Sequence, residues 1–158
     1  MEKIASFQVD HLRLIPGLYV SRRDVFGDTA LTTLDLRFKQ PNKEPVIDMP
    51  ALHTLEHLGA TFLRSHKTWA PRVVYFGPMG CRTGFYAILE GNLGSQAALP
   101  LIREMLDWIA AFDGPVPGAG PAECGNYSEQ NLPMAQWEAR RYGAVLKNPG
   151  PERLNYPA

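Results

Sequence analysis

Residues 48–66 read DMPALHTLEHLGATFLRSH, and the spacing of their apolar side chains predicts an amphipathic helix. At about 100° per residue, His53, Glu56 and His57 project in neighbouring directions from one side of this helix. A separate apolar stripe is formed by Leu52, Leu55, Leu58, Phe62 and Leu63. We therefore expect the helix to bury one face in the core and to present two imidazoles and a carboxylate on the other.

The H-x-x-E-H spacing within this helix is typical of a metal site. In inverted zincins, two histidines at this spacing bind the metal and the glutamate handles protons. The alternative is an ordinary amphipathic helix whose polar face carries two histidines. The metal interpretation is favoured because two of the four histidines in the chain fall at this spacing beside a glutamate.

A catalytic metal site needs a third protein ligand and one open position for water or substrate. Cys124 is the natural candidate, because it follows a loop of prolines and glycines at residues 113–125. Taken alone, this cysteine could equally be a small buried hydrophobe. A soft thiolate with two imidazoles suits Zn²⁺ and also accommodates Fe²⁺ or Co²⁺.

Composition and charge narrow the class of protein. The 158 residues are 45% hydrophobic, which predicts a single domain over residues 1–158 with a real core. Sixteen basic residues balance 16 acidic ones, so we expect no nucleic acid or anionic membrane as partner and favour a small molecule. The sequence contains no apolar run of membrane-spanning length, and residues 1–6 lack a signal-peptide pattern, so we expect a cytoplasmic protein. In that compartment Cys81 and Cys124 are expected to be free thiols or metal ligands.

Four strands are predicted, at residues 18–21, 31–38, 73–76 and 85–90. The turn residues Gly27 and Asp28 favour an antiparallel hairpin between the first two strands. The second strand alternates apolar and charged side chains, so one of its faces is expected to be core. Strand pairs alternating with single helices predict an α+β fold with a mostly antiparallel sheet.

Two further helices are predicted, at residues 96–112 and 133–145. Asp48 is the expected N-cap of the first helix, and Asn131 that of the third. Pro100 is expected either to kink the second helix or to delay its start. The proline-rich tail after Asn148 should be irregular.

Cys81 lies in a glycine-flanked turn between two predicted strands, beside Arg82. An exposed thiol there could act as a base or a nucleophile, and a structural cysteine at a strand entry is an equally good interpretation. Ser6, His11 and Arg37 carry weaker signals, because single residues of these types are usually solvated or simply hydrogen-bonded.

Several short motifs occur in one order and together carry a family resemblance. They are Ser6-Phe7 with Asp10-His11, Arg37-Phe38 before Gln40-Pro41-Asn42-Lys43, "HTLEHL" from His53, "PMGC" ending at Cys81, and "CGN" from Cys124. Together they resemble the S-ribosylhomocysteine lyase family from Ser6 to about Tyr142. The combination is far more specific than H-x-x-E-H alone.

The resemblance implies a metal held by His53, His57 and Cys124, as Fe²⁺ in the cell, with Zn²⁺ or Co²⁺ also possible. It implies Glu56 and Cys81 as the acid/base pair. Ser6, His11, Arg37 and Arg64 match positions that contact the substrate.

The activity implied is cleavage of S-ribosylhomocysteine to homocysteine and 4,5-dihydroxy-2,3-pentanedione, the precursor of the signalling compound autoinducer-2. The fold implied is a two-layer α+β fold, with helices packed on one face of a mostly antiparallel sheet and an inverted-zincin-like metal helix. Members form homodimers with active sites at the subunit interface.

Three positions depart from the family pattern. Lys39 stands where many members have cysteine, Tyr75 where an aspartate often stands, and Gln130-Asn131 where His-Asp is common. None removes a predicted ligand or acid/base group. Two other functions fit the metal helix: a small inverted-zincin peptidase, although such peptidases use a distal glutamate as third ligand, and a metal-stabilised binding module without catalysis.

Overall fold

The computed structural model describes residues 2–158, so Met1, which begins the predicted domain, lies outside the described residues. The helices are α1 (Ala5–Gln8), α2 (Met49–Ser65), α3 (Ser95–Ala110) and α4 (Leu132–Val145). The strands are β1 (Gly17–Phe26), β2 (Thr29–Arg37), β3 (Val73–Pro78) and β4 (Gly84–Glu90), and short 3₁₀ turns lie at Ala70–Arg72 and Pro151–Arg153.

The four strands form one sheet in the order β1-β2-β4-β3, and every neighbouring pair is antiparallel. The β1–β2 hairpin turns at Gly27, whose φ of 59° is the left-handed conformation that glycine adopts without strain. The predicted α+β class, the antiparallel sheet and the hairpin are confirmed.

One face of the sheet shares its core with α2, α3 and α4. Leu34 and Leu36 of β2 belong to the same buried cluster as Leu55 and Leu58 of α2. Each such side chain contributes about 1.5–3 kcal/mol when it leaves water. The predicted apolar stripe of α2 is therefore the face by which this helix packs against the sheet.

The opposite face of β2 is also buried, which the alternating pattern did not predict. Asp35 and Arg37 on this face are 0% and 3% exposed. The C-terminal tail contributes to covering them: the hydroxyl of Tyr156 donates to Asp35, and its ring stacks on Tyr19 at 4.8 Å between centroids. The tail is thus packed and contains a 3₁₀ turn, which corrects the prediction that it is merely irregular.

Some predicted boundaries are wrong for identifiable reasons. Strand β1 continues to Phe26 because a bulge at Ser21 absorbs one residue between the pairs Val20–Leu34 and Arg22–Thr33. Helix α3 begins at Ser95 and includes Pro100. The carbonyl that this proline leaves unpaired, that of Gln96, belongs to an exposed residue and can bind water.

The two predicted helix caps have different outcomes. Asn131 caps α4 by accepting a hydrogen bond from the backbone N–H of Met134. Asp48 occupies the N-cap position of α2, but its side chain makes no capping hydrogen bond; its backbone carbonyl accepts from Leu52. Over residues 2–158, no helix combines the length and the apolar character that crossing a bilayer requires.

Candidate metal centre and active site

The side chains of His53, His57 and Cys124 converge at one point on the polar face of α2. The two Nε2 atoms lie 3.0 Å apart, and Sγ of Cys124 lies 3.4 Å from Nε2 of His53. All three candidate ligand atoms lie within 4.8 Å of one another, and all three residues are half-buried. The convergence predicted from the sequence is confirmed.

Backbone carbonyls fix the orientation of both imidazoles. Nδ1 of His53 lies 2.9 Å from the carbonyl oxygen of Glu129, and Nδ1 of His57 lies 2.7 Å from that of Pro117. A carbonyl oxygen only accepts, so each Nδ1 carries the proton and each Nε2 presents a lone pair. This second contact is the usual arrangement behind metal-bound histidine.

The donor set fits a divalent ion. Two lone pairs facing each other at 3.0 Å repel unless a cation lies between them. Tetrahedral zinc bonds of about 2.0–2.3 Å place neighbouring ligand atoms roughly 3.3–3.6 Å apart. Two of the three pairs here, at 3.0 and 3.4 Å, are close to that spacing, and all three atoms lie within 4.8 Å of one another. The three residues can therefore hold one metal ion and leave a fourth position for substrate.

The loop before α4 delivers Cys124 and also supports His57. The N–H of Cys124 donates to the carbonyl of Gly120 at 3.0 Å, which turns the chain toward the histidines. Gly118 has a φ of 69°, and a Cβ at this position would lie 3.3 Å from Nδ1 of His57. Glycine is therefore required where the loop passes the imidazole.

Glu56 lies one residue before His57 and is half-buried. It lines a cavity of about 240 Å³ together with His53, Pro78 and Glu129. A carboxylate and a candidate metal ligand thus share one small cavity, an arrangement that allows proton transfer to a molecule bound there.

Cys81 lies in the turn between β3 and β4, and its thiol is exposed and free. Its Sγ lies 3.1 Å from the hydroxyl oxygen of Thr83, which accepts a hydrogen bond of 2.7 Å from Nη1 of Arg37. Burial alone would lower the pKa of Arg37, but the charge and hydrogen bonds of Asp35 outweigh it and raise that pKa. The guanidinium is therefore a fixed positive charge near Cys81.

The remaining predicted site residues lie elsewhere. Ser6 lines a cavity of about 320 Å³ on the face of the sheet away from α2. His11 contacts the carbonyl oxygen of Val9 through Nδ1 at 2.8 Å. Arg64 is exposed and donates to the carbonyls of Val73 and Val74 at 3.5 and 3.1 Å, next to the β3 bulge. Neither His11 nor Arg64 lines the two cavities described above.

Sequence reasoning missed three residues near Cys81: Asp35, Thr83 and Tyr86. Tyr86 is paired in register with Asp35 and lines the same cavity as Ser6. Burial, and then the charge of Asp35, raises the pKa of Tyr86. The alternation of β2 placed Asp35 and Arg37 on one face, and this was the only available signal for their contact.

The three departures from the family pattern do not disturb the metal ligands. Lys39 is buried and paired with Glu138, and Gln130 accepts a hydrogen bond of 2.6 Å from the hydroxyl of Thr54, the residue next to His53. Tyr75 is exposed and lines the cavity that contains Ser6.

An α+β chain that gathers two imidazoles and a thiol beside a carboxylate belongs to the class of single-metal proteins with a catalytic type of site. A family model described as S-Ribosylhomocysteinase (LuxS) matches residues 4–149. Because this match covers most of the chain, the chain belongs to the S-ribosylhomocysteinase family.

Curated relatives agree over nearly their full length. The chain is 58% identical over 157 residues to the S-ribosylhomocysteine lyase of Clostridium acetobutylicum, covering 99% of each chain. It is 52% identical to that of Clostridium beijerinckii, with 99% of each chain covered, and 52% identical to that of Borreliella afzelii, with 99% of this chain and 100% of the relative covered. These comparisons lend no support to a peptidase or to a binding module.

Proposed function

We propose that this protein is a metal-dependent carbon–sulfur lyase that cleaves S-ribosylhomocysteine to homocysteine and 4,5-dihydroxy-2,3-pentanedione, the precursor of autoinducer-2. The observation that carries the proposal is the convergence of His53, His57 and Cys124 beside Glu56 in a chain of this family. Relatives that cover 99% of the chain are named for this activity.

The chemistry requires protons to move on carbon before the carbon–sulfur bond can break. An unactivated thioether does not break, but its sulfur can leave as a thiolate by β-elimination once the sugar carbonyl has migrated until the sulfur stands on the carbon β to it. Each migration removes a proton from a carbon next to a carbonyl and returns it to the neighbouring carbon. The site therefore needs a base that faces carbon and a second group that exchanges protons with oxygen.

His53, His57 and Cys124 would hold the metal, as one ion per subunit. When bound, a divalent ion supplies Lewis-acid stabilisation of negative charge that develops on sugar oxygens. The soft thiolate with two imidazoles suits Fe²⁺, which we propose as the ion in the cell, and also Zn²⁺ or Co²⁺.

Cys81 and Glu56 are the proposed acid/base residues. As a thiolate, Cys81 would take protons from carbon and return them, since Thr83 and the fixed charge of Arg37 stand beside its sulfur. Glu56 would move protons between the sugar oxygens and assist the elimination from its position in the cavity beside His53.

Four residues are proposed to bind and orient the substrate. Ser6 and His11 would hydrogen-bond sugar hydroxyls, and Arg37 would act mainly through its charge near Cys81. Arg64 would contact the substrate with the donors that its two backbone contacts leave free.

We further propose a cytoplasmic homodimer whose active sites lie at the subunit interface. Phe7 and Leu12, near the end of the chain that carries Ser6 and His11, are each 70% exposed. Large exposed apolar side chains are typical of association surfaces. A partner subunit covering this region would bring Ser6 and His11 toward a shared site.

Release of free thiol tests the activity directly. The protein, purified aerobically or anaerobically, is incubated with S-ribosylhomocysteine, and homocysteine is measured with a thiol reagent. We expect thiol release that depends on metal and is lost in His57→Ala. A wild-type protein that holds metal but releases no thiol would refute the lyase proposal, and cleavage of peptides instead would favour the peptidase.

Mixing two inactive variants tests the shared site. His11→Ala and Cys81→Ala subunits are unfolded together and refolded at a 1:1 ratio. If each site takes these residues from different subunits of a twofold dimer, about a quarter of the sites should be intact and activity should return to that level. No recovery in a mixture shown to contain mixed dimers would mean that one subunit supplies both residues.

A further inference from the structure

A continuous chain of hydrogen bonds joins the C-terminal tail to Cys81. The hydroxyl of Tyr156 donates to Oδ2 of Asp35 at 2.7 Å. Asp35 accepts two hydrogen bonds from Arg37, from Nε at 3.1 Å and from Nη2 at 2.6 Å. Arg37 donates through Nη1 to the hydroxyl of Thr83, which contacts the sulfur of Cys81 at 3.1 Å.

The direction of donation along this series of hydrogen bonds is set by groups that can only donate. Arg37 has no acceptor, so the hydroxyl oxygen of Thr83 must accept from it, and the hydroxyl proton of Thr83 is free to point at Cys81. A thiolate accepts such a proton, so the chain stabilises the ionised form of the sulfur. Its orientation depends on how firmly Asp35 holds the guanidinium.

Because Asp35 is buried, the hydrogen bond that it accepts from Tyr156 matters for its carboxylate. Asp35 is 0% exposed, and its carboxylate therefore depends on protein donors rather than on water. Arg37 supplies two of them, and the hydroxyl of Tyr156 supplies another. Burial, together with the negative charge of Asp35, raises the pKa of Tyr156, so its hydroxyl keeps the donated proton at neutral pH.

The fold holds Tyr156 in this position through several contacts. Tyr19 lies opposite Asp35 in the β1–β2 register, and the ring of Tyr156 stacks on it. Arg153 donates to the carbonyl of Pro16 at 2.6 Å, and the carbonyl of Leu154 accepts from the hydroxyl of Ser95. The tail is therefore held at the start of β1 and at the start of α3 before it reaches Asp35.

Other ionisable groups near Cys81 do not replace this chain. The phenol of Tyr86 on β4 lies close enough to Cys81 for their charges to interact, but burial raises its pKa, so it is neutral at neutral pH. Arg82 is the adjacent residue on the same turn, and Asp35 partly offsets the charge of Arg37 on β2. The hydroxyl of Tyr156 donates to Asp35 and so offsets part of the negative charge of that carboxylate. More of the positive electrostatic potential of Arg37 then reaches the sulfur of Cys81.

We propose that Tyr156 is a positioning residue for Cys81, acting through Asp35, Arg37 and Thr83. The C-terminal tail thereby contributes a positioning residue to the proposed active site. The inference rests on the proposed acid/base role of Cys81, but the reactivity of the thiol can be measured without turnover.

The test compares Tyr156→Phe with the matched variant Tyr19→Phe. Both keep an aromatic ring in the same stack, but the hydroxyl of Tyr19 donates to the carbonyl of Ile15 and not to Asp35. Alkylation of Cys81 by iodoacetamide is followed against pH in the metal-loaded protein, with peptide mass spectrometry to separate it from Cys124. Metal content and melting temperature are measured on the same samples.

We expect Tyr156→Phe to shift the alkylation profile to higher pH by about half a unit, which is roughly a threefold slower reaction near neutral pH. Thr83→Val, which removes the hydroxyl touching the sulfur, should shift it further. Tyr19→Phe should leave the profile unchanged, and the acid limb of kcat/KM should follow the alkylation result.

Two outcomes would overturn the inference: a wild-type alkylation profile in Tyr156→Phe, or equal shifts in Tyr156→Phe and Tyr19→Phe, which would indicate a merely structural role. A shifted profile in a protein whose wild type releases no thiol from S-ribosylhomocysteine would support the positioning role and refute the lyase proposal instead. The two failures are therefore distinguishable.

Discussion

The ammonium group of Lys39 lies 2.7 Å from Oε1 of Glu138, and the two side chains are only 7% and 5% exposed. The pair joins the end of β2 to α4, and the backbone N–H of Lys39 donates to the carbonyl of Thr83 beside the Cys81 turn. The other carboxylate oxygen of Glu138 finds no partner among the described residues. Lys39, which stands where many family members have cysteine, thus forms a buried ion pair.

Removing one member of this pair should cost more than replacing both. Glu138→Ala leaves a buried ammonium without its counter-charge, and we expect a loss of about 3–5 kcal/mol in the free energy of unfolding. The double variant Lys39→Met with Glu138→Leu should be close to wild type or more stable, since no charge remains to be desolvated. Urea denaturation of both variants measures the difference, and a double variant as unstable as Glu138→Ala would contradict this explanation.

Loss of a metal ligand should empty the site. We expect His57→Ala to retain less than a tenth of the metal of the wild type, because only one imidazole and one thiolate remain. Elemental analysis measures the content per chain, with Cys81→Ala as the control that should keep its ion. Chelation of the wild type should also lower its melting temperature, since an ion bound only by the folded state stabilises it. A full complement of metal in His57→Ala would disprove the ligand assignment.

Removal of a proposed acid/base group should abolish turnover and leave the metal in place. We expect Cys81→Ala and Glu56→Gln each to lower kcat by about 10²–10⁴-fold, the usual contribution of a positioned proton carrier. The thiol-release assay with paired elemental analysis checks both parts. Near-normal homocysteine release by either variant would exclude the assigned role of that residue.

The loop glycine beside His57 should be required for tight metal binding. Gly118→Ala places a methyl group 3.3 Å from Nδ1 of His57 and strains a left-handed backbone conformation, at a cost of about 1–3 kcal/mol. Part of that cost should appear as a weaker affinity for Zn²⁺ in a competition assay with a chromogenic chelator. Gly125→Ala is the matched control, because a Cβ there meets nothing within 4 Å. Equal affinities of the two variants would show that the loop yields without moving His57.

Stability should fall at alkaline pH because of the buried tyrosines. Burial, aided by the charge of Asp35, raises the pKa of Tyr19 from 10.0 to about 12. Below pH 10 both the folded and unfolded states keep this proton; above it the unfolded state loses the proton first, so stability declines as pH rises from 10 through 12. The free energy of unfolding should decline less steeply with pH in Tyr19→Phe than in the wild type. An unchanged slope in Tyr19→Phe would refute the assignment.

Helix α2, helix α4 and the antiparallel pairing were predictable because their signals are local. The apolar period of α2, the cap at Asn131 and the turn at Gly27 each act within a few residues of the chain. Pro100 was expected to kink α3 or to delay its start, but the helix begins at Ser95 and includes the proline, so its start is not delayed. No local sequence pattern indicated the bulge at Ser21.

The sequence alone determined which side chains α2 presents, because helical geometry places His53, Glu56 and His57 on one face whatever surrounds them. The sequence also offered the distant Cys124 as a candidate third ligand, first from its loop and its thiol chemistry and then through the family motifs. Only the tertiary structure decided contacts between remote segments: Cys124 meets His53 across 71 residues, and Tyr156 reaches Asp35 across 121. Such contacts depend on how the sheet, the loops and the tail pack together, and no local periodicity encodes that arrangement.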